Sequence, residues 1–159
     1  LNEYHEKVKK AYGSNAYDSL SVNVRKNLFL SGVDFASSSY LIGVGAGSFE
    51  AKMKKGENKY PTYGMPNPHN YFIEVFSQYG ILITLIILSF FIFIGWRVLL
   101  SLYNSIAFEE SLFILLLISC YGLLSNANSS FLPLPLNWFM FSLIIILFDK
   151  FYSKDGIKY

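Results

Sequence analysis

His69 is the side chain in this sequence best suited to proton transfer, because an imidazole changes its charge near neutral pH. It follows Pro66 and Pro68, two residues that restrict the backbone ahead of it. We predict that Asn67 caps a helix and that His69 lies in its first turn. The positive end of a helix disfavours the imidazolium, so we expect a neutral ring that can accept a proton near pH 7. A surface histidine without a chemical role is the simpler alternative.

Three further side chains could handle a substrate that carries hydroxyl and phosphate groups. Asn70 and Glu74 lie one helical turn apart, so both can orient a hydroxyl-bearing molecule beside His69. Arg25 is a permanent cation with several donors, which suits a diphosphate at a membrane surface. For Arg25, a solvated surface charge is the alternative interpretation.

A glycine-rich stretch, Gly43-Val44-Gly45-Ala46-Gly47-Ser48-Phe49, separates Arg25 from His69. Glycines ahead of a helix can present backbone N–H groups to an anion, and Gly45 and Gly47 are the candidates here. The stretch lacks the Gly-Lys-Ser/Thr of a nucleotide-binding loop and the spacing of a dinucleotide fingerprint. A plain tight turn is the alternative. We also predict that Ser48 caps a short helix from Phe49 to about Lys55.

The amino-acid composition indicates that these residues are positioned by the helices of a membrane protein. Hydrophobic residues make up 53% of the 159-residue chain and charged residues only 15%, against about 25% charged residues in soluble domains. Residues 81–100 are almost wholly apolar, and about 20 helical residues cross a hydrocarbon core of about 30 Å. We therefore predict an all-α integral membrane protein.

The predicted segments divide the chain at changes in polarity. Residues 1–12 and about 17–38 show weak helical patterns, the second with Leu20, Val24 and Leu28 on one face. The full set is an external helical loop segment (1–68), an interfacial amphipathic helix (69–80), three transmembrane helices (81–100, 110–131 and 133–150) and a cytoplasmic tail (151–159).

The orientation follows from the basic residues that flank the spans. Arg97, Lys150, Lys154 and Lys158 fall on one side, whereas the loop 125–135 on the other side contains no Lys or Arg. By the positive-inside rule, the C-terminus is cytoplasmic and residues 1–80 are external. Because the chain begins at Leu1, we expect it to be the C-terminal part of a longer membrane protein.

Several classes of function are disfavoured. The net charge of +2, without a basic stripe, argues against nucleic acid as a partner. Cys120 is the only cysteine, which excludes a disulfide framework and a cysteine-based zinc cluster within the chain. The apolar run 81–100 argues against a soluble helical domain. We predict neither a metal site nor a cofactor.

Taken in chain order, the motifs resemble those of the O-antigen ligase/polymerase superfamily. The resemblance rests on Arg25, Leu41–Phe49, His69-Asn70-Tyr71-Phe72-Ile73-Glu74 and Tyr79-Gly80 ahead of a span. It covers about residues 20–100, and the two later spans agree with the end of the family's fold. It implies a metal-independent glycosyltransferase of the bacterial inner or plasma membrane that acts on the outer face.

The resemblance also implies a reaction and its participants. Glycan moves from a polyprenyl diphosphate donor to a hydroxyl of an acceptor glycan, with His69 as the catalytic residue of the external loop and Arg25 as an essential arginine. The lipid bilayer is the implied setting, and other membrane proteins of polysaccharide assembly are candidate partners. We favour a polymerase that joins repeat units of a capsule, exopolysaccharide or O-antigen.

Two alternatives remain at this point. A ligase that transfers glycan to lipid A-core would use the same residues. A non-enzymatic transporter or scaffold would line a permeation path with Asn126 and Asn128. Transporters usually bind substrate near the bilayer midplane, whereas His69 and Arg25 are predicted outside the membrane, which favours the enzyme.

Overall fold

The computed structural model describes residues 21–105, 107–127 and 132–152. The regular elements in these ranges are helices: α1 (residues 21–38), α2 (Ser48–Lys54), α3 (Tyr71–Tyr103), α4 (Phe108–Ala127) and α5 (Pro135–Tyr152). The helices α3, α4 and α5 are each long and apolar enough to cross a membrane. The predicted all-α fold with three candidate spans is therefore confirmed. The predicted helix over residues 1–12 lies outside the described residues.

The segment that precedes the long helices has a small apolar core of its own. Val24, Leu28 and Phe35 recur at helical spacing and are buried on one face of α1. They pack with Phe49 and Met53 of α2, and the rings of Phe35 and Phe49 meet edge to face at 5.5 Å. These contacts hold α2 against α1.

The start of α2 differs from the prediction by one residue. Gly47 is the N-cap and has a φ of 71°, while Ser48 is the first helical residue. The predicted cap at Ser48 is therefore wrong. The left-handed conformation at the cap favours glycine, which has no Cβ to collide with the backbone.

The three long helices form a bundle in which α4 packs against both α3 and α5. Aromatic rings join α3 directly to α5, with Phe90 and Phe141 at 5.1 Å between ring centroids. The outward surface is apolar, and Leu82, Ile92 and Leu123 are 68%, 70% and 75% exposed. Such a surface suits contact with lipid chains.

Several polar side chains inside the bundle are hydrogen-bonded to one another, as expected where a membrane core holds no water. The Tyr121 hydroxyl donates to Asn137 Oδ1 at 2.7 Å. At the other end of the bundle, Ser111 Oγ contacts Ser101 Oγ at 2.9 Å and Tyr152 Oη at 2.5 Å. These bonds connect all three helices.

The longest helix, α3, is broken at Gly80. Its φ of 81° and ψ of −178° are not helical, and this combination is essentially restricted to glycine. Residues 71–79 therefore form a short helix that changes direction before the apolar residues 81–103. Of the residues proposed for chemistry, Glu74 lies on this shorter part, and His69 and Asn70 directly precede it.

Candidate active site

The helix that follows His69 begins later than predicted. Asn70 is its N-cap, with an extended backbone at φ −154°, and Asn70 Oδ1 accepts a hydrogen bond from Ile73 N at 2.9 Å. Tyr71 is the first helical residue. The prediction that Asn67 caps the helix and that His69 lies in its first turn is therefore wrong. His69 has a φ of 51°, which is incompatible with a right-handed helix.

The backbone at His69 is in the left-handed region. Left-handed φ values are uncommon for residues other than glycine, although histidine is among the types in which they are enriched. Such conformations cost about 1–3 kcal/mol each. Among the described residues, five other non-glycine residues share a positive φ: Tyr40, Leu41, Tyr63, Ser105 and Ala107. His69 is half-buried and lies one residue before the N-cap of α3. It therefore remains close to the positive end of that helix, outside the apolar part of α3.

Asn70 connects the start of α3 to the end of α4. Its Nδ2 donates to Asn126 Oδ1 at 2.5 Å, and Asn126 Nδ2 in turn donates to the Gly122 carbonyl at 2.8 Å. Asn70 Oδ1 already caps the helix. The oxygen and the nitrogen of the Asn70 side-chain amide therefore both form hydrogen bonds within the protein. Asn70 therefore fixes the backbone next to His69 against the helix bundle.

This double role leads to a prediction for stability. We expect Asn70→Ala to lower the free energy of unfolding by about 1 kcal/mol for the cap and by about 1 kcal/mol for the lost bond to Asn126. Asn70→Ser should keep the cap and lose only the bond to Asn126. Thermal unfolding of the full-length protein in detergent measures both effects.

A double-mutant cycle separates the two contributions. Asn70→Ser and Asn126→Ala remove the same hydrogen bond, so their effects should be less than additive by about 0.5 kcal/mol or more. Fully additive effects would show that the two side chains are not coupled.

Glu74 and Gln78 form a buried pair on the next turns of α3, and each is less than one-tenth exposed. Glu74 Oε1 accepts from Gln78 Nε2, and Glu74 Oε2 accepts from the backbone N–H of Leu132, both at 3.3 Å. Leu132 lies three residues before α5 begins at Pro135. Glu74 therefore joins α3 to the chain segment that enters α5.

The glycine segment, defined here as residues 41–47, closes the break in α3. Val44 N donates to the Ser77 carbonyl at 2.8 Å, and Gly45 N donates to the Gln78 carbonyl at 2.9 Å. On the other side of the break, Ile81 N donates to the Leu41 carbonyl at 2.9 Å. These are backbone groups that a helix end leaves without helical partners. The glycine segment replaces the missing helical bonds.

The N–H groups that the sequence suggested for anion binding thus point into the protein. Gly45 N bonds to the Gln78 backbone, and Gly47 N donates to the Gln78 side-chain oxygen Oε1. Gln78 was not among the site residues proposed from the sequence. The available signal was its position one turn after Glu74 and two residues before Gly80.

A cavity of about 380 Å³, here called the outer cavity, lies between α2, the first part of α3 and the start of α5. Its lining residues are Gly47, Phe49, Glu50, Asn67, Pro68, Glu74, Gln78, Tyr79, Leu132, Pro133 and Trp138. Pro68, one of the lining residues, directly precedes His69 in the sequence. His69 and Arg25 themselves are not among the lining residues. This cavity could not be predicted from the sequence, because its walls come from distant parts of the chain.

Arg25 is exposed on α1, and α1 is attached to the loop that leads to His69. Asn27 Nδ2 donates to the Pro61 carbonyl at 2.8 Å, and Lys59 Nζ donates to Asp34. The hydrogen bond with Asp34 raises the pKa of Lys59 above its ordinary value. These contacts hold the helix that carries Arg25 against the loop between α2 and α3.

Comparison with known proteins identifies the family. No similar protein was found among curated proteins, and none was found among solved structures. A family model described as O-antigen ligase matches residues 2–88, which is more than half of the chain. The resemblance derived from the motifs is thereby confirmed. With its three apolar helices, the chain belongs to the O-antigen ligase family, whose chemistry is glycan transfer at a membrane.

Proposed function

We propose that the protein is a glycosyltransferase of the bacterial inner or plasma membrane that joins repeat units of a surface polysaccharide. The donor is a glycan on a polyprenyl diphosphate and the acceptor is a sugar hydroxyl. The N-terminal segment is external and the C-terminus cytoplasmic. The observation that carries the proposal is the strained, half-buried His69 between the external segment and the first apolar helix. A proton acceptor placed there can act on lipid-linked sugars at the membrane surface.

The proposed reaction is a single displacement. The acceptor hydroxyl oxygen attacks the anomeric carbon of the donor glycan while its proton moves to the neutral imidazole of His69. A new glycosidic C–O bond forms, and the C–O bond to the diphosphate breaks. The electron pair of that bond leaves with the polyprenyl diphosphate. Its developing charge is stabilised by the guanidinium of Arg25, so we propose that no metal ion takes part.

We propose that the other site residues suggested by the sequence hold the site in the shape that the substrate requires. Asn70 holds the backbone beside His69. Glu74 forms part of the wall of the outer cavity, and Gly45 and Gly47 hold the glycine segment on Gln78. These contacts support a preorganised pocket whose reacting groups need little rearrangement.

Arg25 offers a direct kinetic test. We expect Arg25→Ala to lower the rate of glycan transfer by about 10²-fold, because one donor to a developing negative charge is removed. Arg25→Lys should recover only part of this, since an ammonium group cannot form two parallel bonds to a phosphate. Rates are measured with the full-length protein in liposomes that contain the lipid-linked donor.

Lys26→Ala is the matched control, because Lys26 is the exposed neighbour with the same charge. It should leave the rate nearly unchanged. Equal losses in the two alanine variants would mean that only the general charge of α1 matters, and the proposed role of Arg25 would be rejected.

Treatment with EDTA tests whether a metal ion takes part. Activity that disappears after this treatment would contradict a metal-independent reaction.

Analysis of the surface glycan in a deletion strain distinguishes polymerase from ligase. Loss of a polymerase leaves single repeats that are not joined. Loss of a ligase leaves long chains on the lipid carrier. We expect single repeats.

A further inference from the structure

We propose that the outer cavity binds the terminal sugar ring of the acceptor glycan. This inference rests on the proposed function and assigns the acceptor to a place next to His69. Cavities of about 300–1,000 Å³ are typical of small-molecule sites, so its volume of about 380 Å³ suits one sugar ring.

The charge of the lining favours a sugar over the diphosphate. Glu50 and Glu74 contribute carboxylates, and Asn67 and Gln78 contribute amides. None of the described residues that line the cavity is a lysine or arginine, although Lys54 Nζ, outside the lining, pairs with Glu50 Oε1 at 2.6 Å. The carboxylates disfavour a diphosphate by like-charge repulsion. Glu74 and Gln78 are hydrogen-bonded to each other and to the backbone, so Glu50 and Asn67 are the lining groups that accept hydrogen bonds from sugar hydroxyls. The donor's diphosphate therefore binds elsewhere, and the hydroxyl-rich acceptor fits the cavity.

Two aromatic side chains provide a platform of the type that sugar rings contact. Tyr79 and Trp138 both line the cavity and are 39% and 55% exposed. The face of an aromatic ring is electronegative, so it attracts the C–H groups on the face of a sugar. The hydroxyls at the edge of that sugar remain free for Glu50 and Asn67.

The position of the cavity agrees with a role for the acceptor. Pro68 forms part of its wall, and His69 is the next residue. A second cavity of about 420 Å³ is lined by Met53 and Lys54, one turn further along α2 from Phe49 and Glu50. A glycan chain therefore has space along α2 for the sugars that follow the reacting one.

Binding can be measured without turnover. The protein is the full-length His69→Ala variant in detergent, and the probe is the host's repeat oligosaccharide, released from its lipid carrier by mild acid. Isothermal titration is expected to show binding. Adding Trp138→Ala should weaken it by about tenfold or more, because truncating an aromatic anchor removes a dominant contact. Adding Trp138→Phe should recover part of the affinity.

Trp96→Ala is the matched control, because Trp96 is 62% exposed on α3 and does not line the cavity. It should leave the affinity unchanged. If Trp138→Ala does not accumulate, Glu50→Ala decides instead, with Glu57→Ala as the control on the same external segment. Unchanged affinity in the cavity variants, or equal losses in the controls, would overturn the proposal.

The experiment keeps this inference separate from the proposed function. Normal activity of the His69→Ala protein would contradict the proposed role of His69, whatever the titration shows. Loss of activity in that variant, together with affinity that does not depend on Trp138 or Glu50, would contradict only the acceptor site.

Discussion

Replacing His69 by asparagine is expected to lower the rate of glycan transfer by about 10²–10⁴-fold, the usual contribution of a positioned general base. An asparagine amide cannot take the proton of the acceptor hydroxyl. Asparagine nevertheless accepts the left-handed backbone found at position 69, so folding should be unaffected. The rate is measured with lipid-linked donor in liposomes, and the glycan is analysed in cells that produce only the variant.

Two comparisons isolate the chemistry. His69→Ala should be equally inactive but less stable, since alanine in a left-handed conformation costs about 1–2 kcal/mol. His5→Ala removes the other histidine of the sequence and should remain active. Glycan of nearly normal length and yield from the His69→Asn strain would reject His69 as the base.

The second large effect is expected at Gly80. Gly80→Ala should destabilise the protein by about 3 kcal/mol or more, because the backbone there is strained for any other residue and a Cβ finds no space. An added Cβ would collide with the carbonyl oxygens of Leu41 and Ile42. Abundance in the membrane and thermal unfolding in detergent report the loss.

Gly95→Ala is the matched control within the same helix. Apart from the neighbouring backbone of the helix itself, no atom of the described residues lies within 4 Å of a Cβ built at Gly95. Alanine favours a helix over glycine by about 1 kcal/mol. This variant should be as stable as the unmodified protein or slightly more stable. If Gly80→Ala is as stable as Gly95→Ala, the glycine-dependent break in α3 is not required for the stability of the fold.

Gly43→Ala should destabilise the protein as Gly80→Ala does, for a related reason. Gly43 has a φ of 97°, and an added Cβ would lie 2.5 Å from the Gln78 carbonyl oxygen. The two glycines therefore face each other across one close contact between the glycine segment and α3. Because Pro68 and Gln78 line the same cavity, displacing this contact should also reduce glycan transfer.

Local properties of the sequence were sufficient for the helical class and the three candidate spans. Apolar composition and helical spacing act on neighbouring residues, so the runs that became α3, α4 and α5 could be read directly. The order of Arg25, the glycine segment and His69 was likewise sufficient for the family. The choice of cap was not local: Asn67 and Asn70 are both good caps by type, and Asn70 is the one held by Asn126 of α4.

Tertiary structure alone decided what the glycines and the buried polar residues do. A glycine-rich stretch suits an anion or a turn equally well, and its assignment to the break at Gly80 required the backbone of residues 77–81 to lie against it. The outer cavity joins Gly47 to Trp138 across most of the chain. Periodicity and composition describe the preferences of single segments, whereas hydrogen bonds and cavities between distant segments exist only once the chain has packed.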